Sequence, residues 1–328
     1  MEANEIRKQS LVAYNQWGAQ WRDHCKIHSK YKMKHLADFH NHGIGKACLL
    51  IANGASFERN LDTILKYQDN VDIMVCDKTL GSALEHGIKP TFCIVCDANV
   101  SYEKYMEKYK DQLQDITLFM NACGNPEWSE NGNWKDRYFF VNKDILKSEK
   151  EFGGISGCQN FIPAGTNVSN AMLVFLTQSD ERGAQNFFGY SKYLLIGYDY
   201  SWQQNGNYYA FNKDGGGKTN YMRHKYLKDF SGHLSFTSNN LEFSARWLHK
   251  YVTTYNLPVV QCSRDTIFIP RHLGRLEEQM QFKGPTEDRE SVSGLMLQRN
   301  ALMQNLSLVD KQLRNFGKKH ELCFLQSV

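Results

Sequence analysis

A Rossmann-like, doubly wound α/β fold with a mostly parallel sheet is predicted by three observations. Short apolar runs of strand length recur at Ala47 to Ala52, Val71 to Cys76, Thr91 to Cys96, Ile116 to Met120 and Tyr138 to Val141. Most begin about 20 to 25 residues apart, which leaves room for a crossover helix between parallel strands. They are apolar at nearly every position, as strands covered by helices on both faces are.

The composition agrees with a globular chain of 328 residues, 41% hydrophobic and 23% charged. No apolar run approaches the roughly 18 residues of a membrane-crossing helix, so no membrane span is predicted. The first nine residues alternate charged and polar side chains without the apolar stretch of a secretory signal, which predicts a cytoplasmic protein. Nine scattered cysteines, an odd number lying mostly in apolar runs, read as buried free thiols. Cys93 and Cys96 form a Cys-x-x-Cys, but they sit three apart in a strand-like segment. Period-two alternation would send their thiols to opposite faces, which speaks against a redox pair or half a zinc site. The net charge of +4 is small and spread out, which gives no nucleic-acid footprint, and the basic stretch from Lys26 to Lys34 reads as a solvated helix face.

The elements follow in order. Residues 1–44 carry Trp17, Trp21, Leu36 and Phe39 among polar residues, a pattern for one or two amphipathic helices forming an N-terminal appendage. Residues 45–272 read as the Rossmann-like domain. After its first five strands come a Gly-rich loop at Gly153 to Gly157, a helix from about Asn167 to Gln178, a strand at Tyr193 to Ile196, and strands at Val259-Val260 and Thr266 to Ile269. These complete the same sheet or a closely packed second lobe. Asn205 to Asn220, rich in glycine and carrying Tyr208, Tyr209 and Phe211, reads as a surface loop or a lid. Residues 273–328 read as a helical tail with a weak period around Leu295, Leu297, Leu302, Leu306 and Leu308, suited to packing on the body or on a second copy.

The site reading begins where the first strand ends. Leu49 to Ala52 runs into Asn53-Gly54-Ala55-Ser56 and then a helix, so backbone amides and short polar side chains gather where a phosphate would sit. A tight turn with Ser56 as helix cap would look the same. The second strand ends at Asp77 and the third at Asp97-Ala98-Asn99. Ligands of open α/β sheets bind at the carboxyl ends of the strands, and three successive polar strand ends point to a nucleotide pocket. His224 and His233 follow the flexible loop and offer general bases in principle, but a lone loop histidine is more often solvated.

Ala52-Asn53-Gly54-Ala55-Ser56-Phe57, then Asp77, then Gly87-Ile88-Lys89-Pro90 before a strand ending at Asp97, resembles the core of the bacterial motility-associated-factor glycosyltransferases. The 6-hydroxymethylpterin diphosphokinase MptE-like proteins share that core. The Asn-Gly-x-Ser turn is similar to the one that holds the nucleotide phosphate in bacterial sialyltransferases using CMP-activated sugars. The resemblance extends through Pro163-Ala164-Gly165-Thr166-Asn167-Val168 to Gly197-Tyr198-Asp199-Tyr200, covering about residues 45 to 270. The chain departs from the family in having Gly54-Ala55-Ser56-Phe57 where Gly-Pro-Ser-Leu is usual; where the resemblance to the diphosphokinase branch implies paired carboxylates near the third strand and a His-Gly-Asp-Asn-like stretch, it has only Cys96-Asp97-Ala98-Asn99 and no His-Gly-Asp.

The resemblance implies a transferase taking a small-molecule nucleotide donor, in the first place a nucleotide sugar such as a CMP-sugar, and a hydroxyl acceptor. Asn53, Gly54 and Ser56 would then hold the donor phosphate. Asp77 and Asn99 would line the nucleoside, Gly165, Thr166 and Asn167 would add helix-start amides, and Asp97 and Asp199 would orient the acceptor. No resident cofactor or metal is called for. The alternative is ATP-dependent diphosphate transfer to a pterin alcohol, where Asp97 and Asp199 would share a Mg2+ ion. A third reading is an inactive binding or assembly module on the same fold.

Overall fold

The structure, a computed structural model, describes residues 2–143, 148–180, 183–184, 186–202, 209–212, 224–268 and 270–281. Its strands are β1 (Ala47–Ile51), β2 (Asp72–Cys76), β3 (Phe92–Val95), β4 (Thr117–Asn121), β5 (Asp136–Asn142), β6 (Phe161–Ile162), β7 (Ser179–Asp180), β8 (Gly183–Ala184), β9 (Lys192–Ile196), β10 (His224–Lys228), β11 (Leu234–Ser238) and β12 (Val259–Gln261). Eight of them form one sheet in the order β12-β9-β1-β2-β3-β4-β5-β6, every pair parallel. The chain lays down β1 to β6 in one direction and then returns to place β9 on the other side of β1. The topological switch point therefore lies between β1 and β9, where open α/β sheets bind ligands.

The helices are α1 (Glu2–His28), α2 (Ser56–Arg59), α3 (Leu61–Tyr67), α4 (Asp77–Glu85), α5 (Tyr102–Met106), α6 (Glu127–Glu130), α7 (Gly154–Ser156), α8 (Val168–Thr177), α9 (Asn239–Thr254) and α10 (Leu276–Met280). Period-two alternation divides the core between them. Ala47, Leu49 and Ile51 of β1 pack with α1, α3, α4, α5, α6 and α10, whereas Cys48, Leu50 and Ala52 pack with α8 and α9. Cys93 and Cys96 fall on opposite sides in the same way, as expected. Among the described residues, no helix is long and apolar enough to cross a membrane.

The N-terminal segment is woven into this packing. Cys25 and His28 of α1 are buried, and the His28 ring bonds the Ala122 carbonyl at 2.8 Å and Ser129 Oγ at 3.0 Å. Desolvation pushes that ring down to about 4, so it is neutral in the fold. Leu36 and Phe39 reach the opposite face, where Phe39 packs against Phe92, Phe119, Tyr138 and Phe188.

At the other end α10 buries Leu276 and Met280 against the α1 side of the core. The leucines from Leu295 to Leu308 lie outside the described residues.

The strand expected at Thr266 to Ile269 does not form over its described residues. Thr266 Oγ1 instead donates to the Tyr198 carbonyl at 2.8 Å and accepts from Phe268 N at 3.0 Å. A threonine hydroxyl that captures nearby backbone in this way competes with the strand ladder. The antiparallel hairpin β10–β11, absent from the sequence reading, stands beside the main sheet.

Candidate functional site

A cleft of about 490 Å³ opens at the carboxyl ends of the central strands. Asn53 and Gly54 reach it from β1, Cys76, Asp77 and Lys78 from β2, Cys96 and Asp97 from β3, and Gly197, Tyr198, Tyr200 and Ser201 from β9. The start of α8, from Gly165 to Ser169, closes another side. The cleft thus lies at the switch point that the sheet order defines.

Two buried acceptors in it lack a partner among the described residues. Asn53 Oδ1 and Asp77 Oδ2 make no hydrogen bond there, although Asp77 Oδ1 accepts the Lys78 amide at 2.7 Å. An unsatisfied buried acceptor costs about 1–3 kcal/mol, so two in one cleft mark the place where a ligand's donors belong. Desolvation pushes the Asp77 carboxyl up to about 7; the Lys78 amide works against this and the charge of Asp97 adds to it.

The cleft also holds electropositive groups. Asn167 caps α8 by accepting from Asn170 N at 2.8 Å, which leaves the amides of Val168 and Ser169 beside the cleft that both residues line. The ten-residue helix adds the positive end of its dipole. Lys78 supplies a full charge, its ammonium lying 5.7 Å from the Tyr209 ring centre and 5.8 Å from that of Tyr105.

Ser56 and Asp199 have a different place from the one expected. Ser56 is buried, its amide and hydroxyl donate to Asp199 at 2.7 and 2.5 Å, and its Oγ accepts from Gly197 N at 2.8 Å. Neither residue lines the cleft, and Asp199 faces a second cavity. Burial pushes the Asp199 carboxyl up to about 6, and the two bonds from Ser56 oppose that rise. The pair pins the β1 turn to the end of β9.

Asn99 is exposed, and its Oδ1 accepts from Gln20 Nε2 of α1 at 3.1 Å, outside the cleft lining. Asp97 is exposed at the cleft, with Oδ1 accepting the Asn99 amide at 2.8 Å. Asp77 and Asp97 are therefore the carboxylates the fold brings to one cleft, rather than Asp97 and Asp199. Of the remaining expected residues, Asn53, Gly54, Gly165, Thr166 and Asn167 all line it.

Sequence reasoning missed Lys78, Asn142, Tyr200, Asn240 and Ser244, which also line the cleft. Lys78 and Asn142 stand at strand ends and carried the same signal as Asp77. Asn240 and Ser244 come from α9, far along the chain and without a local motif. Tyr200 is held at φ +55, in the left-handed region, while its hydroxyl donates to Asn170 Oδ1 at 2.5 Å, and such strain is common where a backbone is shaped for a ligand.

Residues 209–212 of the segment read as a surface loop or a lid are described. Tyr209 lines the cleft, Ala210 N donates to the Asn53 carbonyl at 2.9 Å, and Phe211 stacks on His86 with centroids 3.9 Å apart. The rest of that loop, residues 205–208 and 213–220, lies outside the described residues.

Comparison with known proteins agrees with this architecture. Residues 22–205, more than half of the chain, match the family described as 6-hydroxymethylpterin diphosphokinase MptE-like, and the chain belongs to that family. Among solved structures it is similar to the MAf glycosyltransferase from Magnetospirillum magneticum AMB-1, with a TM-score of 0.55 and 12% identity. The likeness covers 87% of this chain and 42% of that one, and at such identity it is a likeness of fold. No curated protein matches the chain.

Proposed function

We propose that the chain is a nucleotide-dependent transferase whose cleft holds the nucleotide of an activated donor. The observation that carries this reading is a pair of buried acceptors without a partner among the described residues, Asn53 Oδ1 and Asp77 Oδ2, at the switch point of the sheet. A ribose diol presents two hydroxyl donors of the kind these atoms lack, and an acidic residue at a strand end is the usual partner of such a diol. The amides of Val168 and Ser169, with Lys78, then face the donor's phosphate.

For glycosyl transfer the acceptor oxygen attacks the anomeric carbon and the bond from that carbon to the phosphate oxygen breaks. Asp97, exposed at the cleft, accepts the hydrogen bond of the attacking hydroxyl and takes its proton. Charge developing on the departing phosphate is stabilised by the α8 amides and the Lys78 ammonium, fixed groups that need no reorganisation. Gly54, Gly165, Thr166 and Asn167 shape the walls of the cleft, and Ser56 and Asp199, outside it, hold the β1 turn against the end of β9.

Diphosphate transfer from ATP is the second reading, favoured by the family match and by Asp77 and Asp97 lining the same cleft. Those two carboxylates fit a Mg2+ ion, which would neutralise phosphoryl charge there. The two readings part on metal dependence. Under sugar transfer, nucleotide binding persists in EDTA, and Asp97→Asn lowers turnover far more than donor affinity. Binding that strictly requires Mg2+, with AMP released from ATP, would reject sugar transfer in favour of diphosphate transfer.

A further inference from the structure

A second cavity of about 300 Å³ lies behind the β9 end of the cleft, lined by Arg59, Asp199, Ser201, Trp202, Asp229, His233, Leu234, Ser235 and Asp265. Ligating atoms of Asp229, His233 and Asp265 all lie within 4.8 Å of one another. They come from three places: the end of β10, the approach to β11, and the loop after β12. The hairpin turn and that loop already touch, since Phe230 N donates to the Thr266 carbonyl at 3.3 Å and Ser231 Oγ to Asp265 Oδ1 at 3.0 Å.

We propose that Asp229, His233 and Asp265 bind a divalent transition-metal ion that clamps the β10–β11 hairpin onto the body of the protein. One imidazole with two carboxylates suits zinc or manganese, and three protein ligands within reach of one point leave a fourth position to water. The donors are held for the task. Buried Asp229 is oriented by the amides of Ser231 (2.9 Å) and His233 (3.0 Å) and by Ser235 Oγ (3.0 Å). Asp265 is oriented by Ser231 Oγ and by Arg59 at 2.8 Å. Such bonds around the ligands are the second shell that metal sites use. The His233 ring, in contrast, makes no hydrogen bond among the described residues, so a ring nitrogen is left for the ion. Charge points the same way, because among the described residues the cavity gathers the carboxylates of Asp199, Asp229 and Asp265 against the single guanidinium of Arg59.

The test uses the full chain, stripped with EDTA, freed of chelator and titrated calorimetrically with Zn2+ and, separately, Mn2+. One equivalent of at least one ion should bind and raise the thermal midpoint. The exposed His233→Ala and the near-isosteric Asp265→Asn should each weaken that binding by about tenfold or more and remove the metal-induced rise in midpoint, with unchanged far-UV circular dichroism. Co2+ should report the same site through its visible absorption, lost in His233→Ala. Absence of stoichiometric binding, or binding unmoved by both substitutions, would overturn the assignment. The site lies outside the nucleotide cleft, so its failure would leave the transferase reading intact.

Discussion

Asp77→Asn is expected to strengthen the fold and weaken nucleotide binding at the same time. In the wild type, burial pushes the Asp77 carboxyl up to about 7 from an ordinary value of 3.8. A carboxyl raised on folding contributes its full stability below its unfolded value, and that contribution is lost as pH rises through the folded one. Between pH 4 and pH 7 the wild type therefore loses stability that the neutral asparagine keeps. That rise corresponds to a ceiling of about 4 kcal/mol, and an open cleft reduces this to roughly 1–2 kcal/mol, a few degrees in midpoint.

Thermal melts should show the variant above the wild type at pH 8, with the two converging near pH 4. Binding should change the other way. Losing a charged acceptor for ribose hydroxyls costs about 1.5–3 kcal/mol, or roughly ten- to a hundredfold in affinity. Wild-type affinity should also rise from pH 6 to pH 8 as the carboxylate forms. A variant that is no more stable at pH 8, or that binds unchanged, would show that Asp77 is a satisfied core residue.

Gly54→Ala should be among the most damaging single-methyl changes in the protein. A Cβ there would stand 2.4 Å from the Gly197 carbonyl oxygen and 2.8 Å from Asp199 Oδ2, so backbone or a buried carboxylate must move. Overpacking of this kind costs about 1–3 kcal/mol, occasionally more, and displacing Asp199 from Ser56 adds the loss of charged hydrogen bonds. Gly154→Ala is the matched control, because its Cβ would meet nothing within 4 Å. Chemical denaturation should place Gly54→Ala at least about 2 kcal/mol below that control. Equal stability of the two would mean that the β1 and β9 turns are not locked together.

The Gly54 contact shows where sequence reading stopped. The strand-to-turn pattern around Asn53-Gly54 pointed to residues that line the cleft, because apolar runs ending in polar residues are a local signal. The reason for the glycine is a contact with Gly197, so the sequence suggested a phosphate where the fold puts its own backbone. The pairing of Ser56 with Asp199 was hidden for the same cause, 143 residues separating the partners.

Asp77 and Asp97 were legible as strand ends, and the free start of α8 was legible from its asparagine cap. The wall contributed by Asn240 and Ser244 was not, since it depends on how α9 folds back over the sheet. Segment 1–44 shows the limit of pattern reading, because amphipathicity announces a helix without saying what it covers. His28, at the end of that helix, found its partners in Ala122 and Ser129 only through the tertiary fold.

The central claim is that the cleft between the ends of β1, β2 and β9 is a nucleotide site, and calorimetric titration tests it most directly. The full chain would be titrated with CMP, UDP, GDP and ATP, each with EDTA and with Mg2+, alongside Asp77→Asn. At least one nucleotide should bind with one-to-one stoichiometry to the wild type and at least about tenfold more weakly to the variant, whose fold is intact. If none of the four binds at millimolar concentration under either condition, or if Asp77→Asn binds as tightly as the wild type, the cleft is not the nucleotide site.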